Sequence, residues 1–170
     1  MADTSRTRRL PRLAPIRHGT PVYRTIVVGT DGSATADKAV EAAGELARAC
    51  GATVHVVTAY PPVRSAVLAS VGVAGGVAAP AWLGDDERVA AEEVVRRAGE
   101  RLALTGVSAH TTARLGEPAD ALLATAEEVS ADLVVVGNRG MTGVRRYLLG
   151  SVADRVAHHA HCSVHIAHTC

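Results

Sequence analysis

Three glycines and a serine follow a buried-strand pattern near the C-terminal end of the sequence. The run Leu133–Val136 is apolar and mostly β-branched, and Gly137, Gly140, Gly150 and Ser151 come after it before a helical pattern resumes. Glycine lets backbone N–H groups approach an anion closely, and a helix start adds free N–H groups and a positive dipole end. The pattern therefore predicts a phosphate-binding loop, with a plain chain turn between strand and helix as the alternative.

The spacing of these residues is more specific than their number. Two residues separate Gly137 from Gly140, nine separate Gly140 from Gly150, and Ser151 follows directly. This Gly-x2-Gly-x9-Gly-Ser pattern resembles the ATP-binding branch of the universal stress protein family. The resemblance implies that the glycines and the serine surround the ribose and phosphates of an adenine nucleotide, with a backbone contact from Val152. ATP, with or without Mg²⁺, is the implied ligand, and cyclic AMP and AMP are the alternatives.

A second loop supports the same resemblance. The run Val28–Ser33 reads Val-Gly-Thr-Asp-Gly-Ser after the first predicted strand, and the family has an aspartate in this loop that lines the nucleotide pocket. The resemblance implies that Asp31 and the backbone of Gly29 and Thr30 border the adenosine. It also implies that the backbone of Ala59, at the end of the second predicted strand, meets the edge of the adenine. Helix capping is the alternative role for Asp31.

Strand and helix patterns alternate along the chain. The predicted strands are Tyr23–Gly29, Thr53–Tyr60, Val107–Leu115, Leu133–Val136 and Ser163–His168. The predicted helices are Ala34–Cys50, Asp85–Thr105, Pro118–Val129 and Ser151–Ala160. Such alternation predicts right-handed crossovers and a parallel sheet. The resemblance, over about residues 22 to 168, implies a doubly wound, Rossmann-like α/β fold with five parallel strands in the order 3-2-1-4-5 and helices on both faces. In that order Asp31 and Gly137 face one crevice.

Composition and charge indicate one folded domain preceded by a basic arm. The chain has 170 residues, 48% of them apolar, with no Phe and one Trp, so its core must be built from aliphatic side chains. Five arginines and one aspartate fall in the first eighteen residues, which leaves thirteen basic and sixteen acidic residues in the rest. Residues 1–20 are therefore predicted to be a disordered arm and residues 21–170 the nucleotide-binding domain. The folded part carries no basic excess, so no nucleic-acid partner is expected.

Few residues offer catalytic chemistry. Lys38 is the one lysine in the chain and Ala39 follows it, which excludes a Walker A loop, and no glycine-rich kinase loop precedes it. Asp31 has no histidine or lysine partner in the predicted crevice, so a positioned general base is not supported. A nucleotide-binding regulator is favoured over an enzyme. Slow ATP hydrolysis or autophosphorylation, and a binding module selective for cyclic AMP, are the alternatives. Arg139, between the glycines, either reaches phosphate oxygens or points to solvent.

The remaining signals concern location and assembly. Three cysteines without a close pair favour a reducing, cytoplasmic location, and the spacing of the C-terminal histidines does not favour a metal site. The uncharged run Ser65–Leu83 is only weakly hydrophobic, so it is predicted to be a mobile loop rather than a membrane span. The last strand, Ser163–His168, lies at a sheet edge in the 3-2-1-4-5 order, which predicts a homodimer through this strand. The resemblance implies a stress-response role, with a protein client that the sequence does not identify.

Overall fold

A computed structural model describes residues 22–62, 85–138 and 149–168 of the chain. The predicted basic arm of residues 1–20 and the predicted loop Ser65–Leu83 lie outside these residues. So do two of the predicted site residues, Arg139 and Gly140.

The described residues form one parallel sheet of five strands with four helices. In chain order the elements are β1 (Thr25–Gly29), α1 (Ala34–Cys50), β2 (Thr53–Tyr60), α2 (Asp85–Leu104), β3 (Ala109–Leu115), α3 (Pro118–Glu128), β4 (Leu133–Gly137), α4 (Ser151–His159) and β5 (Ser163–Ala167). The strand order is β3-β2-β1-β4-β5, and every neighbouring pair is parallel. The predicted doubly wound fold and strand order are confirmed.

The sheet is covered on both faces because its central strands are apolar at every interior position. On one face Ile26, Val28 and Val135 pack with α1 and α2. On the other face Val27 and Val134 pack with α3 and α4. Each of these side chains is fully buried, and burial of one such side chain contributes about 1.5–3 kcal/mol. An unbroken aliphatic strand is the pattern of a sheet covered on both faces.

Helix α1 is bounded by residues that suit its ends. Ser33 is extended, and its hydroxyl accepts a hydrogen bond from Ala36 N (3.2 Å), which satisfies one of the free donors of the first turn. Gly51 ends the helix in the left-handed conformation, with φ 69°, where glycine has no steric penalty. Ser33, rather than Asp31, is therefore the N-cap of this helix. Asp31 instead accepts from Ser33 N (3.0 Å) in the preceding turn.

Several predicted element ends extend too far. The first strand begins at Thr25 rather than at Tyr23, because the carboxylate of Asp132 accepts hydrogen bonds from Arg24 N (2.8 Å) and Thr25 N (3.0 Å) outside the ladder. These two bonds also lower the pKa of Asp132. The third strand begins at Ala109 rather than Val107. Helices α2, α3 and α4 and the last strand end one residue before the predicted Thr105, Val129, Ala160 and His168, whereas α1 ends at Cys50 as predicted.

The four helices that the structure describes are those of the parallel-sheet domain. None of them is both long enough and apolar enough to cross a bilayer.

Candidate functional site

A crevice of about 270 Å³ opens at the carboxyl ends of β1, β2 and β4. The winding direction of the sheet reverses between β1 and β4, and doubly wound sheets bind ligands at this point. The starts of α1, α3 and α4 border the crevice through Ala36, Pro118 and Ser151. All three helices thus turn their positive dipole ends toward the same space.

The side of the crevice beyond β4, here called the phosphate side, is built from a glycine turn and an uncapped helix start. Gly137, Gly150, Ser151, Val152 and Ala153 line it. Helix α4 has no side-chain cap at its N-cap residue. Its first helical hydrogen bond runs from the fourth residue of the helix, Asp154 N, to Gly150 O (2.9 Å). The preceding N–H groups of the first turn are therefore free to bind an anion.

Asn138 at the end of β4 and Gly150 before α4 are held together by a backbone hydrogen bond. Gly150 N donates to Asn138 O (3.1 Å), and Asn138 N donates to Ala167 O of β5 (2.9 Å). This pairing places the end of β4 directly beside the start of α4. Gly137 and Gly150, which are far apart in sequence, therefore lie at the same side of the crevice.

The loop after β1 forms the middle of the crevice. Thr30 is buried, its N–H donates to Val57 O (2.9 Å), and its hydroxyl accepts from Gly32 N (3.2 Å). Gly32 has φ 75°, a conformation that favours glycine. Asp31 is exposed at the rim. Among the described residues that line the crevice, it is the one charged side chain.

Close packing of a helix explains the glycine at the end of β1. A Cβ atom at Gly29 would lie 2.9 Å from Leu122 Cδ1, and Leu122 is itself buried and lines the crevice. Leu122, Pro118 and Val57 form an apolar wall on the α3 side. A flat, apolar ring can be buried against such a wall.

The end of β2, here called the base side, offers unpaired backbone groups. Val57 O accepts from Thr30 N, and Tyr60 O accepts from Gly116 N. The backbone N–H and C=O groups of odd-numbered residues in β2 therefore point toward β1, and those of even-numbered residues point toward β3. Strand β1 ends at Gly29, opposite Val57. The N–H and C=O groups of Ala59 therefore point into the space that β1 would occupy if it continued, which is the crevice.

Eight of the ten predicted site residues line this one crevice. They are Gly29, Thr30, Asp31, Ala59, Gly137, Gly150, Ser151 and Val152. The other two, Arg139 and Gly140, lie outside the described residues. The sequence interpretation missed Thr58, Pro118 and Leu122, which also line the crevice. A signal existed for Pro118, since proline favours the first turn of a helix, whereas Thr58 and Leu122 resemble ordinary core residues.

The described lining is mostly backbone, hydroxyl and apolar groups. It combines backbone donors, two threonines, a serine and one carboxylate with apolar side chains. No histidine, cysteine or lysine belongs to the part of the lining that the structure describes. Within residues 22–62, 85–138 and 149–168, no group of three or more metal-ligating side chains is close enough to hold a metal ion.

A family model and several relatives match almost the whole described chain. The model of the universal stress protein family matches residues 22–168. Universal stress protein MJ0531 of Methanocaldococcus jannaschii is 34% identical over 154 residues, which is 88% of this chain and 84% of that protein.

Two solved structures of similar proteins contain adenine nucleotides. A universal stress protein in complex with cAMP matches with a TM-score of 0.67 and 35% identity, over 88% of this chain and 99% of that one. The universal stress protein from Archaeoglobus fulgidus in complex with dAMP matches with a TM-score of 0.63 and 27% identity, over 86% of this chain and 98% of that one.

Proposed function

Because the chain belongs to the universal stress protein family, we propose that it is an adenine-nucleotide-binding regulatory protein that takes ATP into the crevice. The observation that carries the proposal is the pairing of two unlike ends in one cavity. At one end, the backbone groups of Ala59 have no partner among the described residues, and at the other end lies the uncapped start of α4. A nucleotide also has two unlike ends, a base edge that forms hydrogen bonds and a charged phosphate.

The distance between the two ends fits a nucleotide. Strands β2 and β4 lie on either side of β1, so their carboxyl ends are about 10 Å apart. This separation is comparable to the distance from the outer edge of a purine to the 5′-phosphate. The ribose then lies over the end of β1, beside Asp31, whose carboxylate can accept hydrogen bonds from its hydroxyl groups.

The base side favours adenine over guanine. Ala59 presents one donor and one acceptor side by side toward the crevice. Adenine offers the complementary pair, an acceptor at N1 next to a donor at N6, whereas guanine offers a donor at N1 next to an acceptor at O6. The phosphate side fixes which way round the nucleotide lies. Guanine in the same orientation would therefore oppose donor to donor and acceptor to acceptor, which costs affinity.

The phosphate side accounts for anion binding without a lysine. Free N–H groups and the dipole at the start of α4 stabilise negative charge, and the hydroxyl of Ser151 adds a hydrogen bond. Arg139 and Gly140 belong to the same proposed site through the glycine motif. ATP carries its Mg²⁺ on the phosphates, which needs few protein ligands.

Cyclic AMP is the second candidate ligand. A relative at 35% identity has been solved in complex with cAMP, and the base side would serve either nucleotide equally. A more distant relative has been solved in complex with dAMP, which supports AMP as a further candidate ligand. The crevice as described supports regulation by occupancy, and slow ATP hydrolysis or autophosphorylation would be secondary to it.

We also propose that the regulatory unit is a cytoplasmic homodimer that acts in a stress response on a protein client. Ser163 N bonds Asp132 O in the main sheet (3.2 Å), so the N–H groups of Val164 and Ile166 point away from β4 at the free edge. Both side chains are half-buried and pack against the core beneath them. Two copies of this edge can pair about a two-fold axis and extend the sheet.

The dimer is tested by light scattering on two matched proline variants. Wild type should have about twice the chain mass of 17.5 kDa. Val164→Pro removes an outward N–H of β5 and should give monomer. Ala113→Pro removes an outward N–H at the other edge, on β3, and should remain dimeric. A monomeric wild type, or a Val164→Pro variant that stays dimeric, would reject this interface.

The nucleotide proposal is tested in two steps. Mass spectrometry of the denatured protein should identify an adenine nucleotide retained through purification. Calorimetric titration with ATP, cAMP, AMP and GTP should then give micromolar to millimolar dissociation constants for the adenine ligands, with GTP weakest. Tighter binding of cAMP than of ATP would make cAMP the ligand. Equal binding of GTP and ATP would contradict the assignment of the base side.

A further inference from the structure

Thr58 is a nearly buried polar residue whose hydroxyl has no hydrogen-bond partner among the described residues. Its exposed fraction is 7%, and it lines the crevice next to Ala59. As an even-numbered residue of β2 it directs its backbone N–H and C=O toward β3, where it is paired with Ala113. Its side chain is therefore the part that meets the crevice.

Three polar residues are buried among the described residues: Thr30, Thr58 and Thr125. The hydroxyl groups of the first and the last have hydrogen-bond partners within the protein. The Thr30 hydroxyl accepts a hydrogen bond from Gly32 N (3.2 Å), and the Thr125 hydroxyl donates to Ala121 O (2.8 Å). Among the described residues, none makes a hydrogen bond to the Thr58 hydroxyl. No buried side-chain nitrogen or oxygen of the described residues lacks a hydrogen-bond partner, so the Thr58 oxygen keeps some exposure. It is therefore accessible to a partner that enters the crevice.

The position of Thr58 selects which part of a nucleotide is that partner. Thr58 lies at the base side, while the start of α4 lies beyond β1 at the phosphate side. If the backbone of Ala59 takes N1 and N6 of adenine, the ring nitrogens N3 and N7 remain as acceptors. We infer that Thr58 Oγ1 donates a hydrogen bond to one of these ring nitrogens and thereby contributes to base selection. This inference rests on the proposed function and adds a side-chain contact to it.

The experiment compares Thr58→Val, which removes the hydroxyl at nearly constant volume, with Thr58→Ser, which keeps it. Thr53→Val, at the opposite end of the same strand, is the matched control. Each protein is titrated calorimetrically with AMP, 7-deaza-AMP and 3-deaza-AMP, because each analogue lacks one candidate nitrogen. Thermal melting of every variant checks that the fold is retained.

The inference predicts a specific pattern of affinities. Thr58→Val should bind AMP about tenfold more weakly than wild type, the effect of one buried hydrogen bond. One deaza analogue should bind wild type weakly by a similar factor and should lose nothing further in Thr58→Val. Thr58→Ser and Thr53→Val should stay within about threefold of wild type.

Two results would overturn the Thr58 contact and leave the proposed function standing. One is an unchanged AMP affinity in Thr58→Val while wild type binds AMP normally. The other is an equal loss for all three ligands in Thr58→Val, which would indicate a general distortion of the crevice. A wild type that binds no adenine nucleotide would instead overturn the proposed function, and this inference with it.

Discussion

In the proposed nucleotide complex, the two sides of the crevice recognise the ligand by different means. At the phosphate side, Gly150 and Ser151 are adjacent in sequence, and the binding groups are N–H donors of one helix turn. At the base side, Thr58 and Ala59 lie near the end of β2, while Leu122 comes from a helix far along the chain. Anion binding needs only a local backbone conformation, whereas recognition of a base edge needs groups that the tertiary fold assembles. The first is therefore readable as a motif, and the second is not.

This difference predicts that changes at the base side weaken adenosine and AMP equally, and that changes at the phosphate side weaken AMP alone. The largest effect should come from Ala59→Pro. It removes the N–H that faces the crevice and places a ring there, without breaking a bond of the ladder. We expect both ligands to bind about 100-fold more weakly, measured by calorimetry.

Ala113→Pro is the matched control for that change. Gly116 N and Ser108 O bond β2, so the odd-numbered residues of β3, Ala113 among them, face the free edge of the sheet. Its loss of an N–H therefore resembles that of Ala59→Pro in every respect except position. Equal losses of affinity in the two variants would show that proline acts by distorting the sheet, and would remove Ala59 from the site.

A smaller and more selective effect is expected for Ser151→Ala. Loss of the hydroxyl at the start of α4 should reduce AMP affinity about tenfold, because one hydrogen bond to a charged phosphate is lost. Adenosine affinity should not change. Ser108→Ala, an exposed serine at the opposite edge of the sheet, is the control. A parallel loss for adenosine and AMP would contradict the division of the crevice into two sides.

The smallest effect concerns stability rather than binding, and it arises at the other end of β2. The rings of His55 and His110 stack with centroids 4.9 Å apart, and burial together with the neighbouring His110 lowers the pKa of His55 from its ordinary value of 6.5. The unfolded chain therefore binds this proton more readily than the folded chain. Stability from this group is complete above pH 6.5 and declines as the pH falls below it.

Urea unfolding on either side of that pH measures the decline. His110→Gln removes the neighbouring positive charge, so its loss of stability in acid should be smaller than that of wild type. Adenosine affinity should be equal in the two proteins at either pH, since both histidines lie away from the crevice. A steeper acid dependence in His110→Gln would contradict the stated cause of the pKa shift.

The sequence predicted the fold well because its strands are unbroken aliphatic runs and its helices carry clear boundary residues. Strand β4 and helix α1, with its glycine after Cys50, are examples. Exact strand starts were less predictable. Val107 is apolar and suits a strand, yet its N–H bonds Leu102 O (3.2 Å) at the end of α2. The residue types around Val107 do not predict this hydrogen bond.

Site residues divide in the same way. Gly137, Gly150 and Ser151 were identifiable from spacing, and the structure brings the three to one crevice. Leu122 has the residue type and helical spacing of any core leucine, and only its approach to Gly29 places it in the wall. Thr58 was not among the predicted site residues, since a threonine in a strand is common. Its place in the lining of the crevice is a property of the folded chain.

Chemical-shift mapping of backbone amides during an AMP titration tests the central claim most directly, because it locates the ligand without altering the protein. The two-sided crevice predicts large shifts at Thr30, Ala59, Ser151 and Val152 in a single saturable titration, with little change at Ser108. The same titration with adenosine should retain the shift at Ala59 and reduce those at the start of α4. Shifts concentrated at the opposite edge of the sheet, or none at Ala59, would contradict the account.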